Sequence, residues 1–207
     1  GSKFHPLSLL SYTIEHMSLK IKPDIVNKIL VDCEQKIKVR AFKDLSEIVL
    51  DISDIKITKV NSQSINISNF RCIDNKQVII RFSEQFCGGT SVDIEISYSA
   101  GYTKTDGKEE FGSPKTGFHF ITKVDQPKQS PAYQAWTQGE ATESRYWFPS
   151  IDKPQVKFTF DIEISAPQEY MVISNGTLES KVVKDKFITW KYIEKKPLPS
   201  YLVSVVI

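Results

Sequence analysis

Histidine is scarce in this chain: His5, His16 and His119 are all there are in 207 residues, and none is followed by Glu. Zinc sites legible in sequence place their ligands at short fixed spacings, as in H-E-x-x-H. The chain therefore offers no metal site, and each histidine reads as an isolated core or surface residue. Cysteine is sparse as well. Cys33, Cys72 and Cys87 are odd in number and share no short spacing, which excludes a disulfide framework and a C-x-x-C knuckle. Unpaired thiols fit a reducing compartment, so a cytoplasmic location is expected. An excess of charge of one sign is also missing: 27 basic residues face 25 acidic ones, a formal +2. Lysines lie near acids, as between Lys104 and Glu110 or Lys157 and Glu163. With no basic stripe or arm, nucleic acid is not an expected partner. No apolar run approaches membrane-spanning length and no signal peptide opens the chain, so no membrane contact is expected either. Gly1-Ser2 resembles the scar of a cleaved tag.

Helical signal is missing too. No long segment carries a 3.6-residue period, so helices should be few and short. What the chain does carry is alternation. Val156, Phe158, Phe160, Ile162 and Ile164 fall on one face of a strand, with Lys157, Thr159, Asp161, Glu163 and Ser165 on the other. Val92, Ile94, Ile96 and Tyr98 alternate in the same way with Asp93, Glu95 and Ser97. Both are half-buried strands. Weaker alternation places strands over 13–21, 29–42, 47–52, 55–60, 69–73, 77–82, 118–122, 171–174, 187–193 and 202–207. Asp74-Asn75 and Asn175-Gly176 supply turn chemistry between them. The composition, 40% apolar and 25% charged, is that of an ordinary folded domain. Many short strands with polar turns predict an all-β fold.

Periodicity fails in two places. Residues 101–117 read as a Gly-, Lys- and Asp-rich loop, and 125–154 is irregular yet holds Tyr133, Trp136, Tyr146, Trp147 and Phe148. So many aromatics exclude disorder, and a long irregular segment inside a domain points to function. The terminal strand, Leu202 to Ile207, is apolar to its end, as expected of a truncated longer protein.

The run Thr137 to Pro154, Thr-Gln-Gly-Glu-Ala-Thr-Glu-Ser-Arg-Tyr-Trp-Phe-Pro-Ser-Ile-Asp-Lys-Pro, resembles the signature of zinc aminopeptidases of the aminopeptidase N and leukotriene hydrolase (gluzincin) family. Members carry a Gln-x-Glu or Gln-x-Gln pair here, then an Arg, an aromatic-Pro pair and an Asp-x-Pro. Weaker resemblance covers nearly all 207 residues. It implies a large twisted, saddle-like antiparallel sheet with a smaller accessory sheet, forming the non-catalytic N-terminal domain over 1–207. It also implies that Gln138 and Glu140 bind substrate, Glu140 holding the α-ammonium and Gln138 lining the same S1 region. An ammonium is held best by fixed carboxylates and carbonyls in a partly dry cleft, where a charged hydrogen bond gains strength. The expected partners are the domain's own catalytic domain and a peptide substrate. Zinc, the Gly-x-Met-Glu-Asn loop and the H-E-x-x-H helix belong to that catalytic domain, so this chain alone should hydrolyse nothing.

Other residues read structurally. Arg145 is expected to pair with Asp152, and Trp136, Trp147 and Phe148 to lie in the core. Two other functions compete: a scaffold such as the aminopeptidase-like subunit of the transcription factor TFIID, and a free-standing β-sandwich binding module. The intact Gln138-Gly139-Glu140 favours the peptidase.

Overall fold

The computed structural model describes residues 10–105, 108–112, 114, 116–121, 134–140 and 142–207. Along the chain the strands are β1 (Tyr12–Ile21), β2 (Leu30–Ala41), β3 (Leu45–Asp51), β4 (Ile55–Asn61), β5 (Ile67–Ile73), β6 (Gln77–Phe86), β7 (Ser91–Ala100) and β8 (Tyr102–Thr105). They continue as β9 (Lys108–Phe111), β10 (Phe118–Ile121), β11 (Gln134–Thr137), β12 (Phe158–Pro167), β13 (Ile173–Ser174), β14 (Thr177–Lys184), β15 (Phe187–Leu198) and β16 (Val205–Val206). Two short 3-10 turns, Glu143–Tyr146 and Ser200–Leu202, are the only helical elements among the described residues. The fold is all-β, as the alternation predicts.

A seven-stranded sheet in the order β14-β15-β12-β1-β2-β7-β4 forms the body. One pairing in it is parallel: β1 lies beside β12 from His16 opposite Thr159 to Ile21 opposite Ile164. The large sheet is therefore mixed, joining the two halves of the chain along this seam. Its inner face is the alternating apolar set, with Met17, Leu19, Ile37, Ile94, Phe160 and Ile162 all buried in one continuous core. The other face is polar, and the register sets charges of opposite sign side by side. Lys20 neighbours Glu34 and Glu163, Glu163 neighbours Lys191, and Lys36 neighbours Glu95. Opposite charges across a strand pair stabilise modestly, and a solvated charged face resists stray sheet contacts.

A three-stranded sheet β3-β6-β5, a two-stranded β8-β9 hairpin and a four-stranded sheet β10-β11-β16-β13 complete the domain. The hairpin between β5 and β6 turns on Asp74 (φ 49°) and Asn75 (φ 53°), the paired positive φ of a type I′ turn. Gly176 is required: φ is 79°, and a Cβ would overlap the Ile193 backbone.

Several segments depart from the sequence reading, among them β11, which lies inside the stretch read as irregular. Residues 102–105 and 108–111, expected as loop, pair as β8 and β9. β14 was not foreseen because almost all of it is exposed, leaving no alternation to read. Glu194 to Lys196, past the end of the strand expected over 187–193, continue it within β15. The last apolar stretch is a 3-10 turn followed by only two strand residues.

Candidate functional site

The irregular segment is organised by β11, which pairs with β10 on one side and β16 on the other. Strand period puts Ala135 inward and Trp136 outward. Thr137 Oγ1 then accepts the Val205 N–H at 2.9 Å, and the Gln138 N–H donates to the Gly117 carbonyl at 2.9 Å. Gly139 is buried against the turn at Tyr201: a Cβ there would sit 2.8 Å from the Tyr201 carbonyl carbon and closer still to its oxygen. Gln138 and Glu140, on either side of it, are exposed. Among the described residues no hydrogen bond or ion pair engages the Glu140 carboxylate. The two predicted site residues thus flank Gly139 on the short stretch after β11, exposed and with no side-chain hydrogen bond or ion pair among the described residues.

Residues 143–152 build a polar knot beside this turn. Arg145 Nε donates to Asp152 Oδ2 at 2.7 Å, and the Asp152 side chain is only 1% exposed. This is the expected pair, more deeply buried than a turn-former would be. Ser200 Oγ donates to the other oxygen, Oδ1, at 2.7 Å, and the Asp152 N–H donates to Asp51 Oδ2 at 2.9 Å. Ser144 Oγ donates to the Ser200 carbonyl at 2.9 Å. Gln35, from the large sheet, donates to the Pro149 carbonyl at 2.7 Å. Burial pushes the Asp152 carboxyl above its usual range, and the hydrogen bonds from Ser200 and Arg145 offset this only in part. A buried ion pair of this kind contributes little net stability, but removing one partner is costly.

Trp147 and Phe148 lie in the core as expected, packed edge to face at 4.5 Å between centroids. Trp136 does not. It is 37% exposed because the outward face of β11 belongs to the small sheet. It stacks on His119 at 4.4 Å and 21° and lies in register with Val206, which in turn faces Ile173. Val206 and Ile173 are each 52% exposed. His119, Trp136, Val206 and Ile173 thus form one cross-strand row that passes through Trp136, two residues before Gln138.

His16 is not isolated either. Its Nε2 lies 2.6 Å from Asp161 Oδ2 and its Nδ1 2.6 Å from Thr159 Oγ1; Ser18 Oγ also donates to Asp161 Oδ2 at 2.6 Å. These partners arrive through the parallel seam, beyond any local spacing. Burial acts to raise the Asp161 carboxyl. The hydrogen bonds from His16 and Ser18, with the nearby imidazole and Lys191, outweigh it and hold the group below its usual range. Ser18 and Asp161 border a shallow hollow of about 490 Å3 on the charged sheet face, which includes neither Gln138 nor Glu140. His5 and Tyr133 lie outside the described residues.

Among the described residues no three His, Cys, Asp or Glu side chains are grouped to hold a metal ion. The described residues therefore offer no grouping that fits zinc. No helix among them is long and apolar enough to cross a membrane.

The fold is thus a mixed seven-stranded sheet with smaller sheets beside it, and Gln138, Gly139 and Glu140 precede the buried Arg145–Asp152 pair along the chain. The chain matches the Peptidase M1 N-terminal domain over residues 13–202 and belongs to that family. It is 25% identical to leukotriene A-4 hydrolase of Xenopus laevis, over 95% of this chain and 31% of that protein. It is 27% identical to glutamyl aminopeptidase of Mus musculus, over 87% of this chain and 20% of that one. The chain therefore spans a third or less of these relatives. Among solved structures, the M1 zinc metallopeptidase from Deinococcus radiodurans superposes with a TM-score of 0.75 at 16% identity, over 95% of this chain and 42% of that one. Yeast LTA4 hydrolase in complex with bestatin gives 0.66 at 17%, over 95% and 28%.

Proposed function

We propose that this chain is the N-terminal, non-catalytic domain of a zinc-dependent aminopeptidase, residues 1–207, and that Gln138 and Glu140 anchor the substrate's α-ammonium group. The observation that carries the reading is the exposed Glu140 carboxylate, without a partner among the described residues, on a turn whose backbone is clamped on two sides. Arg145, the nearest basic residue in sequence, is paired with Asp152 instead. A fixed, available carboxylate is what recognition of an ammonium requires. Peptides are the substrate class: a variant of the Deinococcus metallopeptidase was solved with a Tyr-Ser-Ala substrate.

The partner is a zinc-bearing metallopeptidase domain, in keeping with the two-domain M1 zinc metallopeptidase among the structural neighbours. The exposed row of Trp136, Val206 and Ile173 supports this, since contiguous apolar surface beside a site marks an interface. Zinc and its ligands belong to that domain. The three unpaired thiols fit the cytoplasm.

The test is Glu140→Ala in the aminopeptidase that carries this domain. The specificity constant for a simple aminoacyl substrate should fall roughly ten- to a hundredfold, the worth of one charge-assisted contact. Unchanged kinetics would remove Glu140 from the site.

A further inference from the structure

The Gln138–Glu140 turn is held largely by residues far along the chain. Gly139 packs against the Ser200–Leu202 turn, the Tyr201 carbonyl lying where a Gly139 side chain would be. That turn is fixed through Ser200, which is 3% exposed. The Ser200 hydroxyl donates to Asp152 Oδ1 at 2.7 Å, and its carbonyl accepts from Ser144 Oγ at 2.9 Å. Asp152 is locked in turn by Arg145 and by its own N–H on Asp51. A buried carboxylate is a poor way to add stability, since desolvation cancels most of the attraction. It is an effective way to fix a geometry, because each oxygen accepts from one defined direction. Here Oδ2 faces Arg145 and Oδ1 faces Ser200.

We propose that Ser200 is a positioning residue for the substrate anchor: its hydrogen bond to buried Asp152 fixes the turn whose Tyr201 carbonyl bears on Gly139, and thereby the places of Gln138 and Glu140. The proposal rests on the anchor reading above. A group that orients substrate must be held closely, and a displacement of about 1 Å can cost about a hundredfold in rate. Gly139 has no side chain to resist such a shift, so the turn against it sets the position.

The experiment compares Ser200→Ala, Ser200→Thr and Glu140→Ala in the aminopeptidase carrying this domain, with leucine p-nitroanilide as substrate. Ser200→Ala should raise KM roughly three- to tenfold while kcat stays within about twofold, the pattern of lost binding rather than lost chemistry. Ser200→Thr keeps the hydroxyl and should restore KM. Ile37→Val, a trimming of the large-sheet core, controls for general loosening and should leave KM alone. If Glu140→Ala raises KM and Ser200→Ala does not, the positioning role is wrong and the anchor stands. If neither moves KM, the anchor reading fails and this proposal with it. If Ile37→Val raises KM as much as Ser200→Ala, the effect is loosening and the proposal is overturned.

A second measurement needs only the 207-residue chain. The Gln138 amide, bonded to Gly117, should exchange with solvent about tenfold faster in Ser200→Ala, the effect of weakening one hydrogen bond by roughly its net worth. It should be unaltered in Ile37→Val. Unchanged exchange in Ser200→Ala would overturn the proposal.

Discussion

The large sheet and the small-sheet region of this domain are built by different rules. In the seven-stranded sheet each strand decides its own two faces: Phe158, Phe160, Ile162 and Ile164 go inward while Thr159, Asp161 and Glu163 go out. The long-range partners only confirm what local alternation sets. Around β10, β11 and β16 the strands have two to four residues, too short for a pattern. Position there is set by side-chain bonds between distant segments, Ser144 to Ser200 and Arg145 to Asp152 to Ser200. The first region is a scaffold whose stability is spread over many apolar contacts. The second concentrates its order in a few polar atoms, and it is the one that carries Gln138 and Glu140.

That contrast can be broken at its strongest point first. Phe160→Ala removes a fully buried ring from the large sheet and should cost about 3–5 kcal/mol of unfolding free energy in urea denaturation. A loss below about 1 kcal/mol would mean the large-sheet core is loosely packed. Next comes Asp152→Ala, which leaves Arg145 without its partner and should cost about 3 kcal/mol. Asp152→Asn, keeping a hydrogen-bond acceptor for Ser200, should cost less. Equal losses for the two would show that charge, not geometry, holds the knot.

A smaller effect sharpens the comparison at the seam. Asp161 is held below the usual carboxylate range in the fold. Its contribution is therefore fully present above the unfolded pKa of about 4 and is lost as pH falls through the folded value. Wild type should exceed Asp161→Asn by about 1 kcal/mol near pH 6, the gap closing toward pH 2. Asp152 has the opposite sign. Its raised pKa means that the ionised form is the costly one above that pKa, and acid relieves this cost. A gap at Asp161 that widens on acidification would contradict the assignment. The smallest effect is expected at Trp136→Ala. Although it is an aromatic on a strand, its exposure should limit the loss in the isolated chain to about 0.5 kcal/mol. A loss like that of Phe160 would place Trp136 in a core after all.

The same contrast explains what the sequence disclosed. Alternation predicted the inner faces of β7 and β12 residue by residue, because a half-buried strand writes its environment into every second position. It missed β14, exposed along nearly its whole length, and misjudged Trp136, because nothing in Gln134–Thr137 says which sheet face meets solvent. The Arg145–Asp152 pair was legible, being close in sequence and opposite in charge. The Ser200 and Asp51 bonds to Asp152 were not, and neither were the partners of His16 across the parallel seam. The anchor reading of Gln138 and Glu140 comes from resemblance alone; their spacing would not separate them from any surface pair.

The central claim is that the Gln138–Glu140 turn recognises an α-ammonium group. It is tested most directly in the aminopeptidase bearing this domain, by measuring inhibition by an amino-acid-like ligand and by its des-amino analogue. Wild type should bind the amine at least about tenfold more tightly, and Glu140→Ala should lose most of that preference while binding the des-amino compound as before. A preference for the amine that survives Glu140→Ala undiminished would contradict the account.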